Sequence, residues 1–294
     1  MTAGKKLNIF LHIVFIILAA CCLFPILLTL SISFSSTSSI IENGYLLIPK
    51  EFSTEAYRYI FADSAKIVRA YGVTIFNAVV GSAASVLVIS HMAYPLSRSD
   101  FKLKKPITYF ILFTMLFNGG QVESYMVITT MYHIQNTIWV MILPCMMNVW
   151  YVTIMRTFFK TGIPTAIIES GKLDGAGELR ILWQLVFPIA VPGIATIALF
   201  QVLMYWNEWN LPLLYIVDKK LYNLQFLLQQ MMQNIQTINE SPEYAQQASS
   251  QIASIPSESA RMALCFVAMG PILVTYPFFQ KYFIQGLTVG SVKE

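Results

Sequence analysis

Glu169-Ser170-Gly171-Lys172-Leu173-Asp174-Gly175-Ala176 is a short polar island between two long apolar runs, with Pro188 and Pro192 following it. Its flanks are built for lipid, so the island must meet water, and that contrast decides the fold. Of 294 residues, 56% are hydrophobic and 12% charged, whereas a soluble domain carries about 25% charged residues. A single soluble core cannot hide this much apolar surface, which excludes a large soluble enzyme.

Working outward, six apolar segments stand at about 8–32, 73–96, 107–131, 137–157, 185–207 and 261–284. Each approaches the ~20 helical residues that cross roughly 30 Å of hydrocarbon at about 1.5 Å per residue. Backbone amides in lipid must pair within their own segment, so helices are expected. The third segment is interrupted by Asn118-Gly119-Gly120-Gln121, which predicts a helix broken near the outer face. The expected fold is an all-α polytopic membrane protein, a single domain over 1–294, with six transmembrane helices.

Six spans leave both ends on one side, and the basic residues assign it. With the termini inside, twelve Lys and Arg lie inside (5, 6, 98, 102, 104, 105, 156, 160, 172, 180, 281, 293) and seven outside (50, 58, 66, 69, 219, 220, 261). The Arg98–Lys105 cluster in a short loop is the strongest contribution. Both termini are therefore expected in the cytosol. The net charge of +4 reads as this topology signal rather than as a nucleic-acid surface.

Other chemistry is sparse. Cys21, Cys22, Cys145 and Cys265 fall within apolar runs and suggest neither zinc nor disulfides. His12, His91 and His133 are scattered. No Gly-x4-Gly-Lys-Ser/Thr loop is present, so ATP is not bound by that route. Lys5-Lys6 and Leu18-Ala19-Ala20-Cys21 resemble a lipoprotein cleavage site, but the apolar run continues through Cys22-Leu23-Phe24-Pro25. An uncleaved first span is expected.

Two outer segments are long. In 33–72, Ser53 to Ile60 reads as a short amphipathic helix with Ser53 as N-cap and Glu55 in its first turn. The stretch 215–260, rich in Gln, Asn and Ser, reads as a solvated, partly helical cap or as a disordered loop.

The island lies in the loop between spans four and five, about 158–184. Pro164 favours a helix start, and Thr165 to Leu173 reads as a helix with Glu169 and Lys172 spaced i,i+3 on its surface. Asp174-Gly175 is a turn signal, with Gly free to take a positive φ. Ala176 to Phe187 forms a second helix before the chain re-enters the membrane. The segment is a short lever offering an apolar knob to a partner. The alternative, a helix lying on lipid, would call for more basic residues than Lys172 and Arg180.

The spacing Glu169-x5-Gly175-x9-Leu185-x-Phe187-Pro188 resembles the signature loop of permease subunits in carbohydrate-type, binding-protein-dependent ABC importers. The likeness extends to Phe158-Phe159, Ile163-Pro164, Pro192, Trp206-Asn207-Glu208-Trp209, Tyr276 to Phe283, and Gly286-x3-Gly290-Ser291-Val292-Lys293. Ile255 to Ala263 is similar to the lipoprotein and aldouronate-uptake subgroup. Ser170 and Gly171 stand where the family has two alanines, and Gly171 makes the helix softer by about 1 kcal/mol.

The resemblance implies one half of a heterodimeric channel in a bacterial cell membrane, importing an oligosaccharide. A second permease, two ATPase subunits and an extracellular solute-binding protein are the implied partners, with no nucleic acid. ATP and magnesium belong to the ATPase subunits; this chain is no enzyme and binds no cofactor or metal. Glu169, Ser170, Gly171, Leu173, Asp174, Gly175 and Ala176 are the expected ATPase-coupling residues. Glu169 would anchor, Asp174 would stabilise the turn, and Gly175 would supply backbone freedom. The tail 286–294 would reach towards the ATPase interface.

Charged groups at membrane depth face a cavity or a partner. Glu208, with Trp206, Asn207, Trp209 and Asn210 beside it, is the first candidate for the sugar path; Gln121 and Glu123 are weaker ones. The alternative for the Trp cluster is an aromatic belt at headgroup level. A permease for a non-sugar solute and a secondary transporter stand as other readings, the latter calling for repeated halves.

Overall fold

The computed structural model describes residues 2–240 and 258–270, together with 272, 273, 277 and 280. Among the described residues, regular structure is helical, apart from an isolated bridge between Ser35 and Phe52. The chain forms two compact bodies, one of Met1–Ile67 with Leu228–Gly270, the other of Val68–Leu227 with Pro271–Glu294.

In the first body, α1 (Thr2–Ser33) exposes Phe10, Phe15, Ile16 and Leu18 along its length. A helix apolar all round is what lipid selects. Its end is tied down by polar contacts: Ser31 Oγ donates to the Leu46 carbonyl at 2.6 Å, and Ser33 Oγ meets Tyr57 OH at 3.0 Å. Phe34 stacks against Phe52 and Tyr57, with ring centres 5.3 and 4.8 Å away. Ser36 caps α2 (Thr37–Asn43) by accepting the Ser39 amide. Helix α3 (Glu55–Ile60) has Thr54 at its cap position, yet the Ser53 hydroxyl accepts the Glu55 amide at 3.2 Å.

From α3 the chain stays helical through α4 (Ser64–Phe76), a π-turn at Asn77–Gly81 and α5 (Ser82–Ser97). The second body is built on α5. Next, α6 (Lys104–Leu116) stops before Asn118, whose side chain accepts the Gly120 amide; Gly120 turns at φ 101° and α7 (Gln121–Met126) follows. The sequence-predicted break therefore exists.

The fourth apolar segment departs from expectation. Instead of one helix over 137–157, two 3₁₀ turns (Ile138–Met141, Leu143–Cys145) precede α8 (Val149–Gly162), with a 50° bend. Asn136 at φ 55° and Pro144, which has no N–H, break the helical ladder. The Asn148 side chain restarts it by accepting the Trp150 amide at 2.9 Å.

After α8 come α9 (Thr165–Leu173), α10 (Glu178–Ile181), a π-turn at Leu182–Val186 and α11 (Phe187–Ile189). The helix Glu178–Ile189 then meets α12 (Val191–Asn207) at 85°. The expected fifth segment, 185–207, is thus bent at Ala190, and Pro192 stands in the first turn of α12, where proline is tolerated. The 17 residues of α12 cover about 25 Å. Short α13 (Asn210–Tyr215) and α14 (Leu224–Glu240) complete the described order before 258–270.

Among the described residues, Leu7–Ser33 and Glu55–Ser97 are each long and apolar enough to cross a membrane, and the two bent pairs reach that length jointly. The expected third span is split, and much of the sixth span, part of the 215–260 cap and the 286–294 tail lie outside the described residues.

The second body's core joins α5, α8, α12 and the 178–189 helix through Ile89, Leu96, Val152, Met155, Phe159, Ile181 and Ile197. Lipid is as apolar as these side chains, so close packing must hold them together. Gly81 and Gly193 permit that approach. A Cβ on Gly81 would stand 2.6 Å from the Tyr205 ring, and one on Gly193 2.7 Å from the Phe158 ring. Tyr205 is pinned there, its hydroxyl 3.0 Å from the Ile142 carbonyl and 3.1 Å from Ser85 Oγ.

Candidate functional site

Helix α9 ends in a paired turn. The Ala176 amide donates to the Gly171 carbonyl and the Gly175 amide to the Lys172 carbonyl, both at 3.0 Å. Gly175 sits at φ 76°. This six-to-one, five-to-two pattern with glycine in the left-handed region is a Schellman stop, which a Cβ at 175 would strain.

The faces of α9 divide sharply. Ile168 and Gly171 are buried. Gly171 faces its own chain: a Cβ there would lie 2.7 Å from Leu185 Cδ1 and 3.3 Å from Ile181 Cγ1. Its small size serves the seating of α9 on the 178–189 helix, not an outward contact. Ser170 and Asp174 are exposed, Ala176 is half-buried, and Leu173 is 89% exposed. The carboxylates of Glu169 and Asp174 make no hydrogen bond or ion pair among the described residues.

Behind the lever, five side chains close a ring. Lys172 Nζ lies 2.8 Å from Asp100 Oδ2 and 2.9 Å from Glu178 Oε1. Arg98 holds Asp100 with two bonds, Nε to Oδ1 at 3.0 Å and Nη2 to Oδ2 at 2.7 Å. The Arg98 guanidinium lies 5.9 Å from the Tyr94 ring centre, and Tyr94 OH donates to Glu178 Oε2 at 3.1 Å. Lys172 therefore turns to residues 72 and six positions away, rather than to Glu169, its i,i+3 neighbour.

Bonds from Arg98, then Lys172, hold the Asp100 carboxyl well below the usual range. Burial pushes the Glu178 carboxyl up, but hydrogen bonds from Lys172 and Tyr94 leave it lowered. The bond to Asp100, then that to Glu178, raises Lys172. Cavities flank the ring. One of about 340 Å³ includes His91, Tyr94, Arg98 and Leu179; another of about 390 Å³ includes Ser99, Lys104, Lys160, Thr165 and Glu169.

The ring escaped the sequence reading because Asp100 lies inside a basic cluster that reads as topology alone. The available signal was that lone acid among Arg98, Lys102, Lys104 and Lys105.

The candidate path residues are arranged differently. Trp206 is buried, with its ring centre 6.4 Å from that of Tyr71. Asn207 donates to the Leu203 carbonyl at 2.8 Å. Glu208 Oε1 accepts the amides of Asn210 at 2.8 Å and Leu211 at 2.9 Å, so this carboxylate caps α13 where the chain leaves α12. Its desolvation is offset by backbone amides, a partner the sequence does not reveal. Trp209 and Asn210 are exposed. Glu123 lines a separate cavity of about 500 Å³ with Ser124, Ile128, Tyr132, Ile134 and Pro144; none of residues 206–210 belongs to it. Gln121 is exposed at the start of α7. Among the described residues, no group of three or more His, Cys, Asp or Glu could hold a metal ion.

No family model matches the chain. It is 35% identical over 275 residues to the polygalacturonan/rhamnogalacturonan transport system permease protein YtcP of Bacillus subtilis (strain 168), covering 94% of each chain. It is 34% identical over 269 residues to protein LplC of the same organism, covering 92% of this chain and 88% of that one. A chain in the crystal structure of a bacterial ABC transporter involved in the import of the acidic polysaccharide alginate matches with a TM-score of 0.78 at 25% identity, over 96% of this chain and 98% of that one.

Proposed function

The chain belongs to the permease subunits of sugar and oligosaccharide ABC transport systems, and from that membership we propose that it forms half of an oligosaccharide path through a bacterial cell membrane. It is a multi-pass membrane protein and not an enzyme; separate ATPase subunits hydrolyse ATP. On this reading a second permease completes the path, an extracellular binding protein delivers the sugar, and both termini are cytosolic. Residues 165–176 dock on an ATPase subunit. ATP-driven closure of the ATPase pair then draws the two levers together and opens the path outward.

The observation carrying the docking assignment is Leu173, 89% exposed at the tip of a helix whose other face is buried. A large apolar side chain held out by a rigid stop is an anchor for a partner's pocket. Glu169 and Asp174 flank it with free carboxylates, which supply polar rim contacts. Ser170 is small and outward-facing, so a partner can approach the helix closely there.

The substrate class proposed is an oligosaccharide bearing uronic acids. The support is the 35% relative named for polygalacturonan and rhamnogalacturonan and the 25% structural match in an importer of an acidic polysaccharide. In vesicles containing the assembled transporter, the binding protein loaded with oligogalacturonide should stimulate ATP hydrolysis and uptake more than the same protein offered a neutral maltodextrin. Equal stimulation would discard the acidic class. Leu173→Ser should lower ATPase co-purification about tenfold, as loss of an anchor worth about 1.4 kcal/mol predicts; undiminished co-purification would remove the docking assignment.

A further inference from the structure

We propose that Asp100 is a positioning residue for coupling: it holds Lys172, and through Arg98 and Tyr94 carries the displacement of α9 into the end of α5. The inference rests on the docking of residues 165–176 proposed above.

The geometry is a closed circuit. Lys172 is the only member on α9, and its ammonium is shared between Asp100 and Glu178 at 2.8 and 2.9 Å. Asp100 in turn is gripped by both arms of Arg98, the geometry that fixes orientation as well as distance. The circuit then enters α5 through Tyr94, which is buried edge-on to Phe159 with ring centres 6.1 Å apart. A second anchor reaches the same place: Arg156 Nε donates to the Leu96 carbonyl at 3.0 Å. A push on α9 bears on Asp100 and Glu178 together, and each group of the ring has two partners within it.

Energy alone does not explain the ring. Asp100 and Glu178 are more than half exposed and Lys172 is 38% exposed, and a single exposed pair contributes about 0–1 kcal/mol. A brace needed only for folding would be better served by apolar packing, since burying a charge pair costs desolvation that its attraction often fails to offset. An exposed ring joining the lever, the Arg98–Phe101 loop and α5 is suited to keeping direction while the elements move.

The test uses the complete transporter in vesicles, reading sugar taken up per ATP hydrolysed, per assembled complex. Asp100→Asn keeps the shape and removes the charge. It should lower that ratio about fivefold, while ATPase subunits still co-purify. Lys172→Met should lower it similarly, and the double variant no further than either single one, since both break the same contact. Asp100→Glu should restore at least half of the loss. A normal ratio in Asp100→Asn, or losses that multiply in the double variant, overturns the inference. So does a loss confined to assembly, with the ratio unchanged. Leu173→Ser separates the two levels. If it frees the ATPase while Asp100→Asn couples normally, only the positioning role falls. If it leaves docking and uptake intact, the docking assignment and this inference fall together.

Discussion

Polar side chains serve opposite ends in two regions of the same body. Around α9, charged groups pair with one another across elements: Lys172 with Asp100 and Glu178, Arg98 with Asp100. Around α13, polar groups satisfy backbone amides instead. Glu208 caps Asn210 and Leu211, and Asn136 accepts from Val217 at 3.0 Å and Asp218 at 2.8 Å. Asn223 donates to the Glu208 carbonyl and accepts from Phe226. The difference follows from the backbone. Broken helices leave orphan amides, which in an apolar setting must be paired. An intact helix with a clean stop leaves its side chains free to reach other elements. The first region ties separate elements together through side chains, and the second lets the backbone turn with its amides paired.

The sharpest way to break this comparison is at the stop of α9. Gly175→Val places a β-branched residue at φ 76°, a strain of about 1–3 kcal/mol, and it misaims Leu173. Uptake should fall about tenfold or more at about 1.4 kcal/mol per tenfold, with ATPase co-purification reduced. Gly177→Ser is the control: φ there is −70° with nothing within 4 Å of an added Cβ, and serine is a favoured helix cap. It should transport normally. Normal uptake by both variants would mean that the stop does not aim the lever.

The sequence revealed the α9 helix well and its support poorly. Pro164, the apolar spacing and Asp174-Gly175 gave the limits of α9, because capping and turn chemistry are local. The ring remained hidden because Asp100 and Lys172 are 72 positions apart, and no pattern in one sequence pairs them. The same limit explains Gly171. Read locally it only weakens a helix; packed against Leu185 it is the residue that fits. Apolar runs likewise missed the break at 137–148, whereas the bend at Ala190 falls between Pro188 and Pro192, where the second helix is expected to give way to the next apolar segment. Hydropathy measures burial in lipid, whereas Pro144, Pro192 and a positive φ at Asn136 decide where helix can continue.

Packing gives the next largest effect and tests whether the body behind both regions is equally rigid. Gly81→Ala would drive a Cβ into the face of a Tyr205 ring that two hydrogen bonds hold in place. Overpacking of this kind costs about 1–3 kcal/mol, so the detergent-solubilised complex should melt earlier. Gly72→Ala, within α4 and facing open space, should leave melting unchanged or raise it slightly, as alanine favours helix by about 0.5–1 kcal/mol. If Gly81→Ala melts like the parent, Tyr205 does not pin the crossing.

A smaller effect distinguishes capping from transport at Glu208. Glu208→Ala removes the acceptor for two amides and should destabilise by about 0.5–2 kcal/mol. Glu208→Gln keeps a carbonyl oxygen in place and should recover most of that loss, with uptake per assembled complex near normal. If instead uptake falls equally in both variants while melting is unchanged, the carboxylate acts on the sugar path. The contrast between the two regions would then narrow to Asn136 and Asn223.

The smallest expected effect is a flat line. Asp100 and Glu178 have lowered pKa values, so their contributions are present above the unfolded values of about 4 and are lost only as pH falls through the folded ones. Lys172 is raised, so its contribution is present below about 10.4 and is lost as pH rises through a still higher value. The window in which all three stay charged spans neutrality widely. Uptake per ATP in the parent transporter should therefore vary by less than about twofold between about pH 6 and 8, where an ordinary carboxylate or lysine does not titrate. His91 lines the 340 Å³ cavity beside Tyr94, Arg98, Asp100 and Glu178. Lys104, Lys160 and Glu169 line the cavity on the other side. A slope abolished by His91→Ala would belong to that histidine. A slope that survives His91→Ala and disappears in Asp100→Asn would mean that the ring itself exchanges protons near neutrality, against the pairing that the three ion pairs describe.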